Sequence, residues 1–292
     1  HPELKYYPFH HEQSVAMAAD SLWKIDKTVG VSVVTSVPGA TNLITGIACS
    51  YFDSIPSLHI CGQVNTYEQQ DGHKSTKNVR QVGFQETDIV SVSKPLTKFS
   101  YKIKNANEIG FILDKAYHIA TSGRPGPVLI DIPMNLQKQK INLNFSKKFF
   151  IKKVNFKFNK KTIFNKLKQK IIKAKKPIII LGGGIKYGKS KKQLDQFLKK
   201  LKIPLVTTWS GVDLVDYNNP FYVGNIGVYG SRAANFAVQN SDLIVCLGTR
   251  LDTRVTGGQP KSFARKAFKA VVDIDKNELN KERGLKINLK FY

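Results

Sequence analysis

The sequence of 292 residues is 41% hydrophobic and 10% aromatic, and it carries a formal net charge of +25. This length is enough for two domains of ordinary size, and the hydrophobic fraction is typical of globular proteins with packed cores. No run approaches the ~18 consecutive apolar residues that indicate a membrane-spanning helix. We therefore expect no membrane partner.

The positive charge is concentrated at residues 138–202, with a second group of lysines near the C-terminus. In the run FNKLKQKIIK at 164–173, lysines alternate with apolar residues at helical spacing, which is typical of a solvated helix face over a packed stripe. Basic chains often bind nucleic acid, which is an alternative here. Because no zinc-finger spacing or aromatic RNA-binding signature is present, we attribute the charge to a lysine-rich composition and expect no nucleic-acid partner.

Three cysteines, Cys49, Cys61 and Cys246, lie in apolar stretches, and no pair has the spacing of a metal site. We therefore expect buried thiols in a reducing cytoplasm and no metal ligands. The sequence opens in mid-pattern at HPEL and shows no secretory signal. We expect that the natural N-terminus lies upstream of it.

The segment YPFHHEQ at 7–13 precedes an alanine-rich run at 14–23 that predicts a helix. Glu12 lies where the extended segment gives way to this helix, and a carboxylate there faces the positive end of the helix dipole. Acids are common in first turns, so a purely structural role is one interpretation. The other is a buried catalytic carboxylate, and the residues that follow must decide between the two.

Apolar and β-branched residues at 29–35 and 57–61 predict two buried strands. A glycine-containing turn at 36–42 follows the first strand, and Gln63 follows the second. In open α/β sheets, ligands bind beyond the carboxyl ends of the strands, so both positions are candidates for a binding site. A plain strand-to-helix turn is the structural alternative.

The same alternation continues through the first half of the chain. Residues 97–103 and 128–133 have the pattern of strands, residues 106–121 that of an amphipathic helix, and residues 123–127 that of a rigid turn. The polar residues at 65–82 predict an irregular surface excursion. This order predicts an α/β fold with a mostly parallel, doubly wound sheet and helices on both faces.

Six short motifs occur together and in order in this half. They are HEQ at 11–13, PGATN at 38–42, DSIP at 53–56, GQV at 62–64, FQETD at 84–88 and GRPGPV at 123–128. In combination they resemble the pyrimidine-binding domain of the thiamine-diphosphate enzymes, specifically of the acetolactate synthase large-subunit group. The resemblance implies that residues 1–140 form this domain, incomplete at its N-terminus.

The resemblance gives Glu12 a chemical role. In this family the matching glutamate hydrogen-bonds the ring nitrogen of the cofactor's aminopyrimidine, and its proton favours the imino tautomer that deprotonates the thiazolium C2. The resemblance thus implies that Glu12 is catalytic and lies in an apolar pocket that raises its pKa. Thiamine diphosphate performs the carbon chemistry, while the protein controls tautomer and position.

Other site residues follow from the same resemblance. Gln63, Phe84 and Gln85 match family positions that shape the pocket around cofactor and substrate, with loop packing as the alternative. Pro38 and Asn42 match positions that bind the cofactor.

One segment departs from the family pattern. Residues 67–80 form a longer excursion than in typical acetolactate synthases. This excursion is more similar to a subgroup of synthase-like proteins linked to surface-sugar pathways. The acceptor substrate is therefore open between a 2-keto acid and a keto-sugar or other carbonyl compound.

We expect a linker at 141–159 and a second, Rossmann-like domain at 160–292. Strands are predicted at 177–181, 204–208, 242–250 and 270–275, and helices at 160–174 and 190–201. Gly182, Gly183 and Gly184 follow the first of these strands, where glycines let backbone N–H groups approach a phosphate or sugar. They do not form the G-x-G-x-x-G fingerprint. The pattern predicts a second doubly wound sheet.

The motifs GVYGSRAAN at 227–235, RLDTRVTG at 250–257 and DID at 273–275 resemble the central domain of the same family, which binds FAD in acetolactate synthases. Such a flavin is structural, because the reaction has no net redox step. The alternative is a relative that keeps the domain without a flavin. The implied FAD site is lined by Gly182, Gly183, Gly184, Thr208, Tyr229, Gly248, Arg250, Asp252, Arg254 and Asp273, with Arg124 reaching over from the first domain.

A whole enzyme of this kind has a third domain that binds the diphosphate through Mg²⁺ on a Gly-Asp-Gly run. The present sequence contains no such run, so we expect the magnesium ligands to lie outside it and this chain alone to be inactive. The family's active site forms between two subunits, which implies a homodimer or homotetramer.

The leading hypothesis is part of a thiamine-diphosphate-dependent carboligase. It decarboxylates pyruvate and adds the two-carbon unit to a 2-keto acid, its small-molecule substrate. The alternatives are a synthase-like enzyme with a keto-sugar or other carbonyl acceptor, and a non-catalytic truncated remnant.

Overall fold

The computed structural model describes residues 2–70, 79–142, 149, 160–188, 191–200 and 202–292. The chain divides into two compact units, residues 1–153 and residues 154–292. Most of the predicted linker at 141–159 and most of the excursion at 67–80 lie outside the described residues, so both stay predictions.

The first unit alternates helices and strands as the sequence predicts. Its elements are α1 (Glu12–Asp26), β1 (Val31–Val34), α2 (Gly39–Asn42), α3 (Ile44–Asp53), β2 (Leu58–Gln63), α4 (Ile89–Ser93), β3 (Phe99–Lys102), α5 (Ile109–Thr121), β4 (Val128–Pro133) and α6 (Met134–Gln137). The four strands form one sheet in the order β1-β2-β4-β3, and every pairing is parallel. The carboxyl ends of all four strands therefore lie at one edge.

Helices cover both faces of this sheet. On one face, α1 and α3 pack over a core that includes Ala16, Ile47 and Leu129. On the other face, α5 packs over a core that includes Val128 and Ile130. Successive residues of a strand point to opposite faces, which explains why Leu129 joins the first core while its two neighbours on β4 join the second.

Small residues let α1 approach its neighbours closely. A Cβ on Gly46 in α3 would lie 2.4 Å from the Cβ of Ala16, and a Cβ on Gly30 would lie 2.3 Å from the carbonyl oxygen of Ala19. Larger side chains at these contacts would push the helix away from α3 and from the start of β1. The alanine-rich composition of α1 thus serves close packing.

A buried histidine connects the first two strands. The Nδ1 of His59 on β2 lies 2.7 Å from the Oγ of Ser32 on β1, and its Nε2 lies 2.9 Å from the Oγ of Ser57. Burial lowers the pKa of His59 to about 3, so the ring is neutral at pH 7 with both nitrogens satisfied. The cluster is a structural link between strands.

The second unit also alternates helices and strands. Its elements are α7 (Lys160–Lys173), β5 (Pro177–Leu181), α8 (Lys191–Lys200), β6 (Leu205–Thr207), β7 (Tyr222–Asn225), α9 (Arg232–Gln239), β8 (Leu243–Leu247), α10 (Thr253–Thr256), β9 (Phe268–Val272), α11 (Lys276–Asn280) and β10 (Leu289–Phe291). The six strands form a parallel sheet in the order β10-β9-β8-β5-β6-β7. This is the order of a doubly wound fold, and its switch point lies between β5 and β8.

Two strands, β7 and β10, are not indicated by the sequence pattern. All four residues of β7 are only half-buried, and β10 has three residues. Both strands lie at the edges of the sheet, where neither is flanked by strands on both sides. Their sequences therefore lack the continuous apolar run that identifies a central strand.

The lysine-rich pattern of α7 has the predicted arrangement. Leu167 and Ile171 pack against the apolar core below the helix, and the lysines whose side chains are described are exposed. One expectation is wrong: Cys61 and Cys246 are buried, but Cys49 is exposed. Cys49 lies on the solvent side of α3, where its small apolar neighbours in sequence give no indication of orientation.

We expect Gly182→Ala to destabilise the second unit. A Cβ at this position, directly after β5, would lie 2.2 Å from the carbonyl oxygen of Gly248, which cannot move without shifting the end of β8. Overpacking of this kind costs roughly 1–3 kcal/mol or more, measurable by urea denaturation of the 292-residue chain. Gly258→Ala is the matched control, because nothing lies within 4 Å of a Cβ there. Equal effects of the two substitutions would contradict the prediction.

Candidate functional site

Glu12 is the first residue of α1. His11 caps this helix: its backbone is extended, and its Nδ1 accepts a hydrogen bond from the backbone N–H of Gln13 at 3.2 Å. The backbone N–H groups of Ser14 and Val15 donate to the carbonyl oxygen of His11. The cap holds Glu12 in the first turn, where the helix dipole favours a negative charge.

The carboxylate of Glu12 lies against the turn that follows β1. The Nδ2 of Asn42 donates to its Oε2 at 3.0 Å, and a Cβ on Gly39 would lie 3.1 Å from its Oε1. The backbone N–H of Asn42 donates to the carbonyl oxygen of Pro38 at 3.0 Å. The structure therefore brings Glu12, Pro38 and Asn42 together at the carboxyl end of β1. Glycine at position 39 places no side chain against Oε1.

The expected rise in the pKa of Glu12 is wrong for this chain. Its pKa is lowered, chiefly by the hydrogen bond from Asn42, and its own backbone N–H and His11 act in the same direction. Desolvation raises the pKa but is outweighed. The physical reason is that Glu12 is only half-buried, so its hydrogen-bond donors have more effect than the partial loss of water.

Gln63 is the last residue of β2 and is buried. Its Nε2 donates to the carbonyl oxygen of Thr87 at 2.8 Å and to the Oδ2 of Asp131 at 3.2 Å. Its Oε1 accepts a hydrogen bond from the backbone N–H of Val64 at 3.1 Å. The packing role of Gln63 is thus visible in the fold, while its contact with a substrate stays a prediction.

Phe84 and Gln85 lie in the segment between β2 and α4. The side chain of Phe84 is 82% exposed, and Gln85 has a left-handed backbone with φ of 64°. Glu86 fixes the segment by accepting hydrogen bonds from the backbone N–H groups of Val82 and Gln70. Non-glycine residues in the left-handed region cluster at ligand sites. The segment therefore presents an exposed aromatic ring on a backbone that other residues hold in place.

Sequence reasoning missed Asp131. This residue lies on β4, in an otherwise apolar strand, and only 1% of its surface is exposed. Burial raises its pKa to about 6, against the effect of hydrogen bonds from Gln63 and Cys61. The sequence feature that could have indicated it is the acidic residue within an apolar strand. A carboxylate buried in a strand is tolerated only when it has hydrogen-bond partners.

In the second unit, the predicted glycines meet where β5 and β8 end. The backbone N–H of Gly182 donates to the carbonyl oxygen of Leu247 at 2.8 Å, and that of Gly184 donates to Gly248 at 2.9 Å. Gly183 is buried between them. These glycines let the ends of β5 and β8 touch. The N–H groups of Gly182 and Gly184 therefore donate within the protein. The expectation that they approach a phosphate is wrong for these two residues.

An aromatic pair stands at the same edge of this sheet. Thr208, which is buried, follows β6, and the ring of the next residue, Trp209, stacks on Tyr229 with a centroid distance of 5.4 Å and an interplanar angle of 21°. The two rings are 68% and 66% exposed. Tyr229 was predicted as a flavin contact, whereas Trp209 was missed, although its place just after a strand was a usable signal. The pair is a platform for a planar ligand.

Charged residues follow β8 and β9 at the same edge of the sheet. Arg250 lies 3.6 Å from Asp252 and 3.9 Å from Glu278. Asp252 also caps α10 by accepting a hydrogen bond from the backbone N–H of Arg254 at 2.9 Å, and the side chain of Arg254 is exposed. Asp273 directly follows β9. The structure thus gathers the predicted second-domain residues at the carboxyl edge of the sheet.

Arg124 lies in the first unit, in the turn after α5. Its Nε donates to the Oγ of Ser54 at 2.8 Å. This contact holds the Nε of Arg124 against the residue that caps the C-terminus of α3. The predicted role of Arg124 at a flavin in the second domain stays a prediction.

An apolar crevice of about 800 Å³ also opens in the second unit. Its walls include Leu167 of α7, Leu194 of α8, and Ile179 and Val245 of the sheet. None of the predicted cofactor residues lines it. Its nearly uniform apolar lining does not suit a charged cofactor.

In the part of the chain that the structure describes, no three His, Cys, Asp or Glu side chains gather in a way that could hold a metal ion. No helix in that part has both the length and the apolar character that crossing a membrane requires.

The fold and the site together define the class. Two parallel α/β units, the first with a carboxylate at the head of its first helix and beside the turn after β1, correspond to the pyrimidine-binding and central domains of thiamine-diphosphate enzymes. Residues 1–92 match the family model "Thiamine pyrophosphate enzyme, N-terminal TPP binding domain", and residues 164–290 match "Thiamine pyrophosphate enzyme, central domain". The chain belongs to the thiamine pyrophosphate enzyme family.

Within this family the chain is similar to acetolactate synthase large subunits. It is 38% identical to the isozyme 2 large subunit of Escherichia coli (strain K12), with 96% of this chain and 48% of that protein covered. It is 36% identical to the large subunit of Cyanidium caldarium, with 96% and 47% covered, and 36% identical to that of Lactococcus lactis subsp. lactis (strain IL1403), with 93% and 45% covered. The chain therefore spans about half the length of the curated relatives it matches.

We expect Asn42→Leu to raise the pKa of Glu12, because the substitution removes the donor that lowers it most. NMR titration of ¹³C-labelled glutamate side chains measures this, with Glu12→Gln identifying the signal. The hydrogen bond stabilises the fold above the unfolded pKa of Glu12, and this contribution is lost as pH falls through the lower folded value.

Thr41→Val is the control for the Asn42 experiment. Its hydroxyl donates to the carbonyl oxygen of Pro38 at 2.8 Å, so its loss perturbs the same turn without removing the donor to the carboxylate. A Glu12 pKa that is the same in Asn42→Leu and in the wild type would contradict the assignment.

Proposed function

We propose that this chain forms the pyrimidine-binding part, residues 1–140, and the central part, residues 160–292, of a thiamine-diphosphate-dependent carboligase of the acetolactate synthase type. The enzyme decarboxylates pyruvate and joins the two-carbon unit to a second 2-keto acid. The two matching family domains and the names of the relatives support this class. A second copy of the protein is the proposed partner.

One observation carries the proposal: the placement of the Glu12 carboxylate. A structural acid at a helix start needs only its own helix, but Glu12 is also tied through Oε2 to Asn42, in the turn after the neighbouring strand. A Cβ on Gly39 would contact its Oε1 at 3.1 Å, so glycine at this position leaves this oxygen free of a covering side chain. An aminopyrimidine nitrogen needs an uncovered carboxylate oxygen as its partner, so the residues present fit the cofactor.

Thiamine diphosphate, when bound, supplies the carbon nucleophile that attacks pyruvate. Glu12 would hold the proton shared with the ring nitrogen, while Asn42 keeps the other carboxylate oxygen in place. A ring bound over the carboxylate would exclude water from it and would raise the pKa of Glu12, against the lowering by Asn42. The two opposing effects would allow Glu12 to accept and return a proton.

We also propose that the second unit binds FAD in a structural role. In doubly wound folds, ligands bind beyond the carboxyl ends of the strands at the switch point, which here lies at β5 and β8. The stacked rings of Trp209 and Tyr229 offer a surface for a planar ring, and the guanidinium groups of Arg250 and Arg254 offer positive charge for phosphates. Because the glycine N–H groups are engaged within the fold, the arginines are the proposed phosphate partners.

In the full-length protein, we expect Glu12→Gln to lower the rate of pyruvate consumption at saturating thiamine diphosphate and Mg²⁺ by about 100-fold or more. Glutamine keeps the size of the side chain and its contact with Asn42 but cannot carry the shared proton. Glu282→Gln, at an exposed position of the second unit, controls for the loss of one acid. Equal rates for wild type and Glu12→Gln would remove the catalytic assignment.

We expect Trp209→Leu to weaken FAD binding about threefold to tenfold, because a stacked aromatic contact is lost. Quenching of flavin fluorescence on titration with the purified chain measures the affinity. Tyr217→Leu is the control, since Tyr217 is an aromatic residue of the same unit that is 87% exposed. A wild-type chain that leaves flavin fluorescence unchanged would overturn the FAD proposal itself.

A further inference from the structure

Asp131 is a buried acid in the middle of the first unit. It is the only charged residue in β4, whose other residues are apolar, and it is 1% exposed. Removing a carboxylate from water is costly unless hydrogen bonds compensate. Its contacts therefore indicate why the fold tolerates it.

Both oxygens of this carboxylate contact β2, the strand beside β4. The Sγ of Cys61 lies 3.5 Å from Oδ1, and the Nε2 of Gln63 donates to Oδ2 at 3.2 Å. The same Nε2 donates its second hydrogen to the carbonyl oxygen of Thr87 at 2.8 Å. Asp131 thus connects, through one amide group, the end of β2 to the segment that carries Phe84 and Gln85.

These contacts define the polarity of the Gln63 amide. A glutamine side chain has two N–H donors and two acceptor lone pairs on its oxygen. The carboxylate of Asp131 and the carbonyl oxygen of Thr87 accept hydrogen bonds from both N–H donors. The backbone N–H of Val64 donates to Oε1 at 3.1 Å and so occupies one lone pair. The remaining capacity is one lone pair on Oε1. Gln63 can therefore offer a ligand only a hydrogen-bond acceptor.

We infer that Asp131 is a positioning residue: it fixes the amide of Gln63 so that only its carbonyl oxygen faces the substrate, and through Gln63 it anchors the segment at 84–88. This inference rests on the proposed function for its catalytic consequence. The anchoring of the segment is independent of that function. Because this carbonyl oxygen accepts a hydrogen bond, it selects a substrate or intermediate that presents a hydroxyl group to Gln63.

The groups around Asp131 make the arrangement sensitive to pH. Cys61 on β2, Lys102 on β3 and Asp88 in the adjoining segment are the titratable groups that face it, and Lys102 is held by a hydrogen bond to the Oε1 of Gln69 at 2.8 Å. Burial raises the pKa of Asp131 to about 6. Above this pH the carboxylate accepts from Gln63, and below it the acid gains a proton and no longer imposes one amide orientation.

The test uses Asp131→Asn in the full-length protein. Asparagine keeps the shape of the side chain but presents both a donor and an acceptor, so either orientation of the Gln63 amide is tolerated. We expect amide hydrogen exchange at residues 84–88 to accelerate about tenfold and kcat/KM for pyruvate to fall about tenfold, the effect of one lost buried hydrogen bond. We also expect the wild-type kcat/KM to fall as pH decreases through about 6, and this step to be absent in Asp131→Asn.

Two further variants make the result decisive. Asp114→Asn, an exposed acid on α5, should match the wild type in all three measurements. Gln63→Met leaves Asp131 in place but removes the amide, so it should abolish the pH step and accelerate exchange at 84–88; it also serves if Asp131→Asn does not fold.

The outcomes separate the inference from the proposed function. An Asp131→Asn protein that retains the pH step, or that is only less stable with unchanged exchange at 84–88, overturns the positioning role. Wild-type protein that does not consume pyruvate overturns the proposed function. In that case the exchange measurement still decides whether Asp131 anchors the segment.

Discussion

The hydrogen bond from Asn42 to Glu12 is the contact on which the proposed chemistry depends. It joins the head of α1 to the turn after β1, two places separated by a whole strand in the sequence. The helix start alone would leave the carboxylate in solvent, and the turn alone would have no acid. Together they hold a half-buried carboxylate whose Oε1 is left free of a side chain at position 39.

A second polar connection lies deeper in the same sheet edge. Asp131, Gln63 and Thr87 link β4, β2 and the segment before α4 by hydrogen bonds that are buried or half-buried. The turn that holds Glu12 follows β1, and Gln63 ends the neighbouring parallel strand β2, so the topology places both at the same edge. The carboxyl ends of β1, β2 and β4 therefore converge at this edge, and the segment between β2 and α4 is tied to it through Thr87.

In the second unit, the predicted site residues also lie at the carboxyl edge of the sheet, on either side of the switch point between β5 and β8. There the glycines serve backbone packing, as the close approach of Gly182 to Gly248 shows, and the exposed groups are aromatic rings and arginines. The exposed rings and arginines suit a planar, negatively charged ligand, while the glycines serve packing.

The sequence by itself determined the alternation of strands and helices, the two parallel sheets and the place of Glu12 at a helix start, because local periodicity and capping control these features. Only the tertiary structure decided the short edge strands β7 and β10, the stacking of Trp209 on Tyr229 and the partners of Asp131. It also reversed the expected direction of the Glu12 pKa. The physical reason is the same in each case: these properties depend on atoms that lie far apart in the sequence and meet only when the sheets form.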